Sequence, residues 1–210
     1  MRLNWLEARG ELVCAVIDTP IGRLSLSARG EALVSIDFVD DAPLDFPADA
    51  AALPSPLAQA GTALLDYFQK ALVIPRERGG FQEALVFPRG RGGFQTGATW
   101  NVPLNPVGTD FQRRVWQRLA DIPLGTVVSY GQLAREMGSG ARAIAGACRA
   151  NPYPLVIPCH RVVAAHGLGG YCGATDGGWL DIKRWLLAHE QACHWEREPE
   201  SPETNDHGLQ

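Results

Sequence analysis

Pro152, Pro154 and Pro158 punctuate one stretch of this chain, ANPYPLVIPCHRVV. Each proline ring fixes φ, removes an N–H and restricts the residue before it. The backbone is therefore stiffened on its approach to Cys159. The run Leu155–Val163 would otherwise read as a buried strand, but a titratable pair, Cys159 and His160, interrupts it. A rigid approach suits a preorganised nucleophile. A cysteine in an apolar run is also what an inert core thiol looks like. On spacing alone both readings stand.

The chemistry of the pair defines what else to seek. A thiolate is a strong nucleophile, whereas a free cysteine near pKa 8.5 is mostly protonated at neutral pH. An imidazole base oriented by a carboxylate lowers that barrier. Asp176, Asp181 and Glu190 are the candidate carboxylates. Glu190 follows the end of a helical segment, where its charge opposes the helix dipole, so its placement asks for another reason. Asn151 precedes the first proline, and its amide is suited to tying the turn together.

Around this stretch the chain divides in two. Residues 11–39 alternate as strands, with turn signals at Thr19-Pro20-Ile21-Gly22 and Arg29-Gly30, and predict a small antiparallel sheet. A Pro/Asp/Ala-rich connection leads to a helix beginning near Ser55, read as its N-cap, with Pro56 at its first position. Between Leu72 and Asn105 the pattern dissolves, and RGGFQ occurs twice, at 78–82 and 91–95. Two copies make no solenoid; a surface insertion and an RNA-contacting segment are both open. Thr109 then caps an amphipathic helix with Phe111, Val115, Trp116 and Leu119 on one face. Two short helices, about 129–137 and 141–150, flank Gly138-Ser139-Gly140 and form a helix-turn-helix candidate. A last helix carries Trp179, Ile182, Leu186 and His189.

The fold expected is α/β of the α+β kind: a small N-terminal antiparallel sheet domain and a mainly helical C-terminal domain with the helix-turn-helix. The expected limits are 1–72, a linker over 73–105, the second domain over 106–191 and an acidic tail over 192–210. The second helix of the pair, ARAIAGACRA, offers little to read base edges with. Its tiny residues fit either close helix packing or close approach to a nucleic-acid groove.

Charge alone is a weak guide. The net charge is −4, yet residues 101–191 carry 9 basic against 6 acidic groups, a surplus compatible with phosphate contact. The 5 cysteines, Cys14, Cys148, Cys159, Cys172 and Cys193, form no C-x-x-C pair, which speaks against a disulfide framework or zinc ribbon. No apolar run reaches the length of about 18 residues that spans a bilayer. The expectation is a cytoplasmic protein with free thiols, nucleoid-associated if bacterial, with no membrane partner.

NPYPLVIPCHRVV, together with SYGQLA, ARAIAGACRANP, GGYCG and KRWLLAHE, strongly resembles the O6-alkylguanine-DNA alkyltransferases, also called methylated-DNA–protein-cysteine methyltransferases. The likeness runs from about Gly108 to Glu190; residues 11–70 resemble the family's smaller ribonuclease-H-like domain more loosely. It implies direct, stoichiometric repair of O6-alkylguanine, extending in principle to O4-alkylthymine, with Cys159 as the alkyl acceptor. His160 would act as base through a water, Glu190 would orient it, Asn151 would hold the turn, and Tyr130 would sit by the target nucleotide. Arg142 would fill the gap left by a flipped base. Ala141, Ala143, Gly146 and Ala147 would admit the helix to the minor groove of double-stranded DNA, with Gln112, Ser129 and Arg149 as further contacts. The resemblance implies a monomer with no cofactor and, lacking a Cys/His ligand set, no metal.

Three features depart from the family pattern: the short Gly138–Gly140 turn, the extra ATDGGWLD segment, and Cys172 where a smaller Ser or Ala is usual. Two other functions compete. A lesion-binding module would lack the reactive cysteine; a Cys–His hydrolase would turn over many times and ignore duplex DNA.

Overall fold

The computed structural model describes residues 1–39, 53–70 and 100–190. The RGGFQ copies, most of the Pro/Asp/Ala-rich connection, the acidic tail and Cys193 lie outside the described residues.

Three strands, β1 (Leu12–Thr19), β2 (Gly22–Arg29) and β3 (Ala32–Val39), form an antiparallel meander. Alternation puts Ala15 and Ile17 of β1 and Leu24, Leu26 and Ala28 of β2 on the buried face. The register slips around Val34, since Ala28 pairs with Leu33 and Ser27 with Ser35. This bulge lets Leu33 and Ile36, three residues apart, both point into the core.

Helix α1 (Ser55–Lys70) covers that face through Leu57, Ala60, Leu64 and Phe68. The expected cap is displaced by one residue. Ala58 N donates to the carbonyl of Pro54, so Pro54 supplies the first helical acceptor and the N-cap falls there. Ser55 Oγ instead accepts from the Gln59 amide at 2.6 Å.

The second half contains α2 (Asp110–Ala120), β4 (Val128–Ser129), α3 (Tyr130–Glu136), α4 (Ala141–Arg149), β5 (Val162–Val163) and α5 (Gly178–His189). Thr109 caps α2 in a reciprocal capping box with Gln112. α3 and α4 meet around Gly138, whose φ of 58° suits glycine. β4 and β5 pair in parallel, Val128 with Val162 and Ser129 with Val163. Of the four residues expected along α5, Leu186 and His189 are buried, together with Leu180, Lys183 and Leu187, while Trp179 and Ile182 are half-buried.

Chain segments distant in sequence brace the proline-rich stretch. Leu33 N donates to Pro103 O and Asn105 N to Leu33 O, both at 2.8 Å, so residues 103–105 run along the edge of β3. Ile36 N donates to Pro152 O at 2.9 Å. The Tyr153 hydroxyl donates to the carbonyls of Leu33, at 3.2 Å, and Asn105, at 2.8 Å. The N-terminal sheet thereby buttresses the turn that delivers Cys159.

Candidate active site

The stretch expected to be an interrupted strand is a 3-10 turn, Cys159–Arg161, that opens into β5. A continuous strand is excluded at Pro158, which has no N–H for a ladder. Leu155 reverses the chain just before it, with φ of 73°, an unusual conformation for a residue with a Cβ. Asn151 closes the loop from inside. Its Oδ1 accepts from Tyr153 N at 3.0 Å and its Nδ2 donates to Ile157 O at 2.8 Å. The same Nδ2 lies 3.4 Å from Cys159 Sγ.

Cys159, His160 and Arg161 are all buried, and Glu190 at the end of α5 reaches them. His160 Nε2 is 2.8 Å from Glu190 Oε1. Arg161 donates Nε to Oε2 at 2.7 Å and Nη2 to Oε1 at 2.9 Å, a two-pronged clamp on the carboxylate, and Nη1 to Ile122 O at 2.7 Å. Burial pushes the Glu190 carboxyl up, but the charges and hydrogen bonds of His160 and Arg161 outweigh it and hold it well below the usual range. An ionised carboxylate only accepts, so His160 carries its proton on Nε2. Nδ1 is left with its lone pair; it is buried without a protein partner.

The resting protonation states follow. Burial pulls His160 down by more than Glu190 raises it, so the imidazole is neutral. Burial pushes the Cys159 thiol up, and Asn151, the Lys183 charge and backbone N–H groups only partly reverse this. Cys159 therefore rests as a thiol, and a thiol in this state would need a base to act as a nucleophile.

Lys183 is fully buried. Its ammonium donates to the carbonyls of Val162, Leu168 and Gly170 at 2.6, 2.8 and 3.0 Å. Burial lowers its pKa to about 8. It clasps the loop 168–170 against the site, and Tyr130 OH donates to the Gly170 carbonyl of the same loop at 3.2 Å. Sequence reasoning passed over Lys183, Arg161 and Tyr67, whose hydroxyl donates to Glu190 at 2.7 Å. Lys183 left one legible signal, a lysine three residues from Leu180 and four from Leu187 on a helix.

A pocket of about 360 Å³ opens onto Cys159. Tyr130, Gly146, Arg149 and Tyr171 are among its walls, and Cys148 and Cys172 line it as well. Cys172 has φ of 48°, and burial pushes its thiol up to about 12. One edge of the pocket is α4. Ile144 and Ala147 alone are buried on this helix, while Ala141, Arg142, Ala143, Ala145, Gly146 and Arg149 face outward. A Cβ on Gly146 would meet nothing within 4 Å. The outward small residues are therefore not required by helix packing, whereas Ala147, which faces inward, packs against the rest of the domain and does not lie on the outer face.

The expected residues divide by what they touch. Cys159, His160, Glu190 and Asn151 form one contiguous cluster, with Tyr130, Gly146 and Arg149 around the adjoining pocket. Arg142, Ala141 and Ala143 lie on the outer face of α4. Gln112 and Ser129 side chains are engaged in caps: Gln112 Oε1 accepts from Thr109 N at 2.8 Å, and Ser129 Oγ from Gln132 N at 3.1 Å. Among the described residues no cluster of three or more His, Cys, Asp or Glu could hold a metal ion. No helix among them is long and apolar enough to cross a membrane.

A buried thiol followed by a neutral imidazole, in a fold that carries a helix-turn-helix, is the arrangement of cysteine-dependent group-transfer proteins built on a DNA-binding fold. The family model described as 6-O-methylguanine DNA methyltransferase, ribonuclease-like domain, matches residues 12–77, and its DNA binding domain counterpart matches residues 110–192. The chain belongs to the methylated-DNA–protein-cysteine methyltransferase family. The human member is 35% identical over 196 residues, covering 86% of this chain and 81% of that protein. The Salmonella typhimurium member is 50% identical over 86 residues, covering 40% of this chain and 47% of that protein, so the match spans about half that relative's length. Mycobacterium tuberculosis OGT, solved in complex with DNA, aligns over 85% of this chain and 92% of its own, at 30% identity and a TM-score of 0.58.

Proposed function

We propose that this chain repairs O6-alkylguanine in double-stranded DNA by moving the alkyl group onto Cys159, once per molecule. The observation that carries the reading is Cys159 at the wall of a pocket beside α4, followed directly by a His160 whose Nε2 is 2.8 Å from Glu190 Oε1. The Cys159 proton passes through a water to His160 Nδ1. The sulfur attacks the alkyl carbon, a C–S bond forms, and the bond from that carbon to guanine O6 breaks. The electron pair stays on the base, which takes up a proton to become guanine. Tyr130, on the wall of the pocket, would turn its hydroxyl from the Gly170 carbonyl to donate toward the leaving oxygen. The thioether product is stable, so each molecule acts once.

The damaged base must leave the duplex, at a cost of a few kcal/mol that a damaged pair reduces. A pocket of about 360 Å³ lies within the range of small-ligand sites, about 300–1,000 Å³. α4 enters the minor groove with its small-residue face, and Arg142 occupies the place of the extruded nucleotide. Contacts without base reading suit a lesion that arises in any sequence. The protein acts as a monomer in the compartment that holds the DNA, and the two domains divide within residues 73–105.

The test is to incubate the protein with duplex DNA containing O6-methylguanine and take its intact mass. A single gain of about 14 Da at Cys159 is expected, the mass of a methyl replacing a proton. Binding without a mass gain would overturn transfer in favour of a lesion-binding module, and neither binding nor gain would favour a hydrolase.

Arg142→Ala should slow transfer from the duplex by roughly tenfold or more, the loss of a charged contact made only with extruded DNA. Its transfer from free O6-methylguanine base should be unchanged. Parallel rate measurements on the two substrates check this, and equal slowing on both would remove the finger role.

A further inference from the structure

We infer that Tyr67, on the helix of the N-terminal domain, is a positioning residue for the transfer reaction and sets the proton affinity of His160 through Glu190. The inference rests on the function proposed above and deepens it. Tyr67 lies 123 residues from Glu190 in sequence, within the region matched by the ribonuclease-like domain. Its hydroxyl reaches Glu190 Oε1 at 2.7 Å, the same oxygen that faces His160 Nε2 at 2.8 Å. The contact is buried on both sides.

The direction of this hydrogen bond is fixed. Glu190 is ionised and has no proton to give. Burial and the Glu190 charge raise the Tyr67 phenol well above its ordinary value, so the phenol keeps its proton and donates. Oε1 thus accepts from three donors, Tyr67, His160 and Arg161. Each donor withdraws part of the negative charge available to the others. Arg161 alone fixes the plane of the carboxylate with its fork. Tyr67 adds no such constraint and is not needed to neutralise the charge. What it changes is the basicity of the one oxygen that His160 uses.

The site is also built so that Tyr67 cannot drift. Its ring packs edge-on against Phe68 and His189 with centroids 5.1 Å away in each case. His189 Nε2 is 3.0 Å from the Tyr67 carbonyl. The residue next to the relay carboxylate on α5 thereby holds the backbone of the residue whose hydroxyl meets that carboxylate. The end of α1 and the end of α5 are joined at the point where the relay terminates.

The sign of the effect follows. The charged or titratable groups acting on His160 are Glu190, Lys183 and His189 from α5, Arg161 and Cys159 on its own turn, and Tyr67 acting through Glu190. Without the Tyr67 donor, Glu190 Oε1 holds more charge and stabilises the imidazolium. The pKa of His160 rises, and the imidazolium formed by taking the Cys159 proton hands that proton on less readily to the departing guanine anion.

Tyr67→Phe removes the hydroxyl and keeps the ring. Transfer from an O6-methylguanine duplex should slow roughly tenfold, the loss of one hydrogen bond to a charged group. The His160 ring titration, followed by NMR in the full chain without DNA, should move up by roughly half a unit or more. Introducing 3-fluorotyrosine at position 67, a stronger donor of nearly the same shape, should move it down. Phe68→Leu is the control: it loosens the same packing and should leave the His160 titration in place. An unmoved titration in both Tyr67 variants, or an equal shift in Phe68→Leu, would overturn the inference. A wild-type protein that gains no methyl group while the titration still responds to Tyr67 would refute the repair reading alone.

Discussion

A Cys159→Ala protein is expected to take up no methyl group from a methylated duplex and yet to bind that duplex as wild type does. The loss should exceed about 10⁴-fold, the scale seen when a nucleophile is removed from a group that acts as a unit. The neighbouring thiols offer no replacement. Cys148 and Cys172 share the pocket; burial raises the Cys148 thiol well above the usual range, and the thiol of Cys172, an exposed residue, is raised to about 12. His160 directly follows Cys159, whereas Cys148 and Cys172 lie on α4 and in the loop before α5. Binding should persist because Cys159 is buried beneath the pocket and contributes nothing to the outer face of α4. Intact-mass spectrometry and a mobility-shift titration measure the two halves of this expectation. A methyl adduct on Cys172 or Cys148 would move the nucleophile elsewhere.

Arg161→Ala should be the most destabilising single change in the site, at about 3–5 kcal/mol, the cost of stripping a buried carboxylate of its permanent partner. Glu190 is 4% exposed and Arg161 6%, so water cannot replace the lost guanidinium without opening the core. The Ile122 carbonyl would be orphaned as well. In a chain of this size the melting temperature should fall by roughly 10 °C. Because Glu190 is held below the usual range, its contribution to stability is present above the ordinary carboxylate pKa and disappears only as pH falls through the lowered value. Removing Arg161 raises that value, so acid unfolding should begin at higher pH. Arg161→Lys keeps the charge without the fork and should fall between the two. Thermal melts of the three proteins from about pH 3 to 7 test this; melts that coincide across the range would show that the clamp contributes nothing to the fold.

Local chemistry was legible in the chain and distant pairing was not. Thr109 with Gln112, and Gly138 between two short helices, announce themselves within four residues, and each element forms where these signals place it. The strands β1 to β3 follow from alternation, but the bulge that turns both Leu33 and Ile36 inward has no such local mark. Cys159 and His160 stood out because they break an apolar run. Arg161 follows them directly, and only its bidentate contact with a residue 29 positions away discloses its role. Tyr67 is invisible for the same reason: a tyrosine on the inner side of an amphipathic helix is an ordinary core residue until Glu190 appears opposite its hydroxyl. Gln112 and Ser129 show the converse. Their polar side chains satisfy helix ends, a use that the expectation of DNA contact did not include.

The anchoring of α4 has an evolutionary side. Trp116 Nε1, from α2, donates to the Ala147 carbonyl at 2.8 Å, one of the terminal acceptors that a helix cannot satisfy internally. With Ile144 and Ala147 buried beside it, that indole holds the helix in place from behind. The outward residues carry none of this duty, and exposed substitutions of that kind shift stability by only about 0.5 kcal/mol. Selection can therefore retune the surface proposed to meet DNA while the folded state stays as it is. In this architecture recognition is free to wander, and the chemistry beneath it is not.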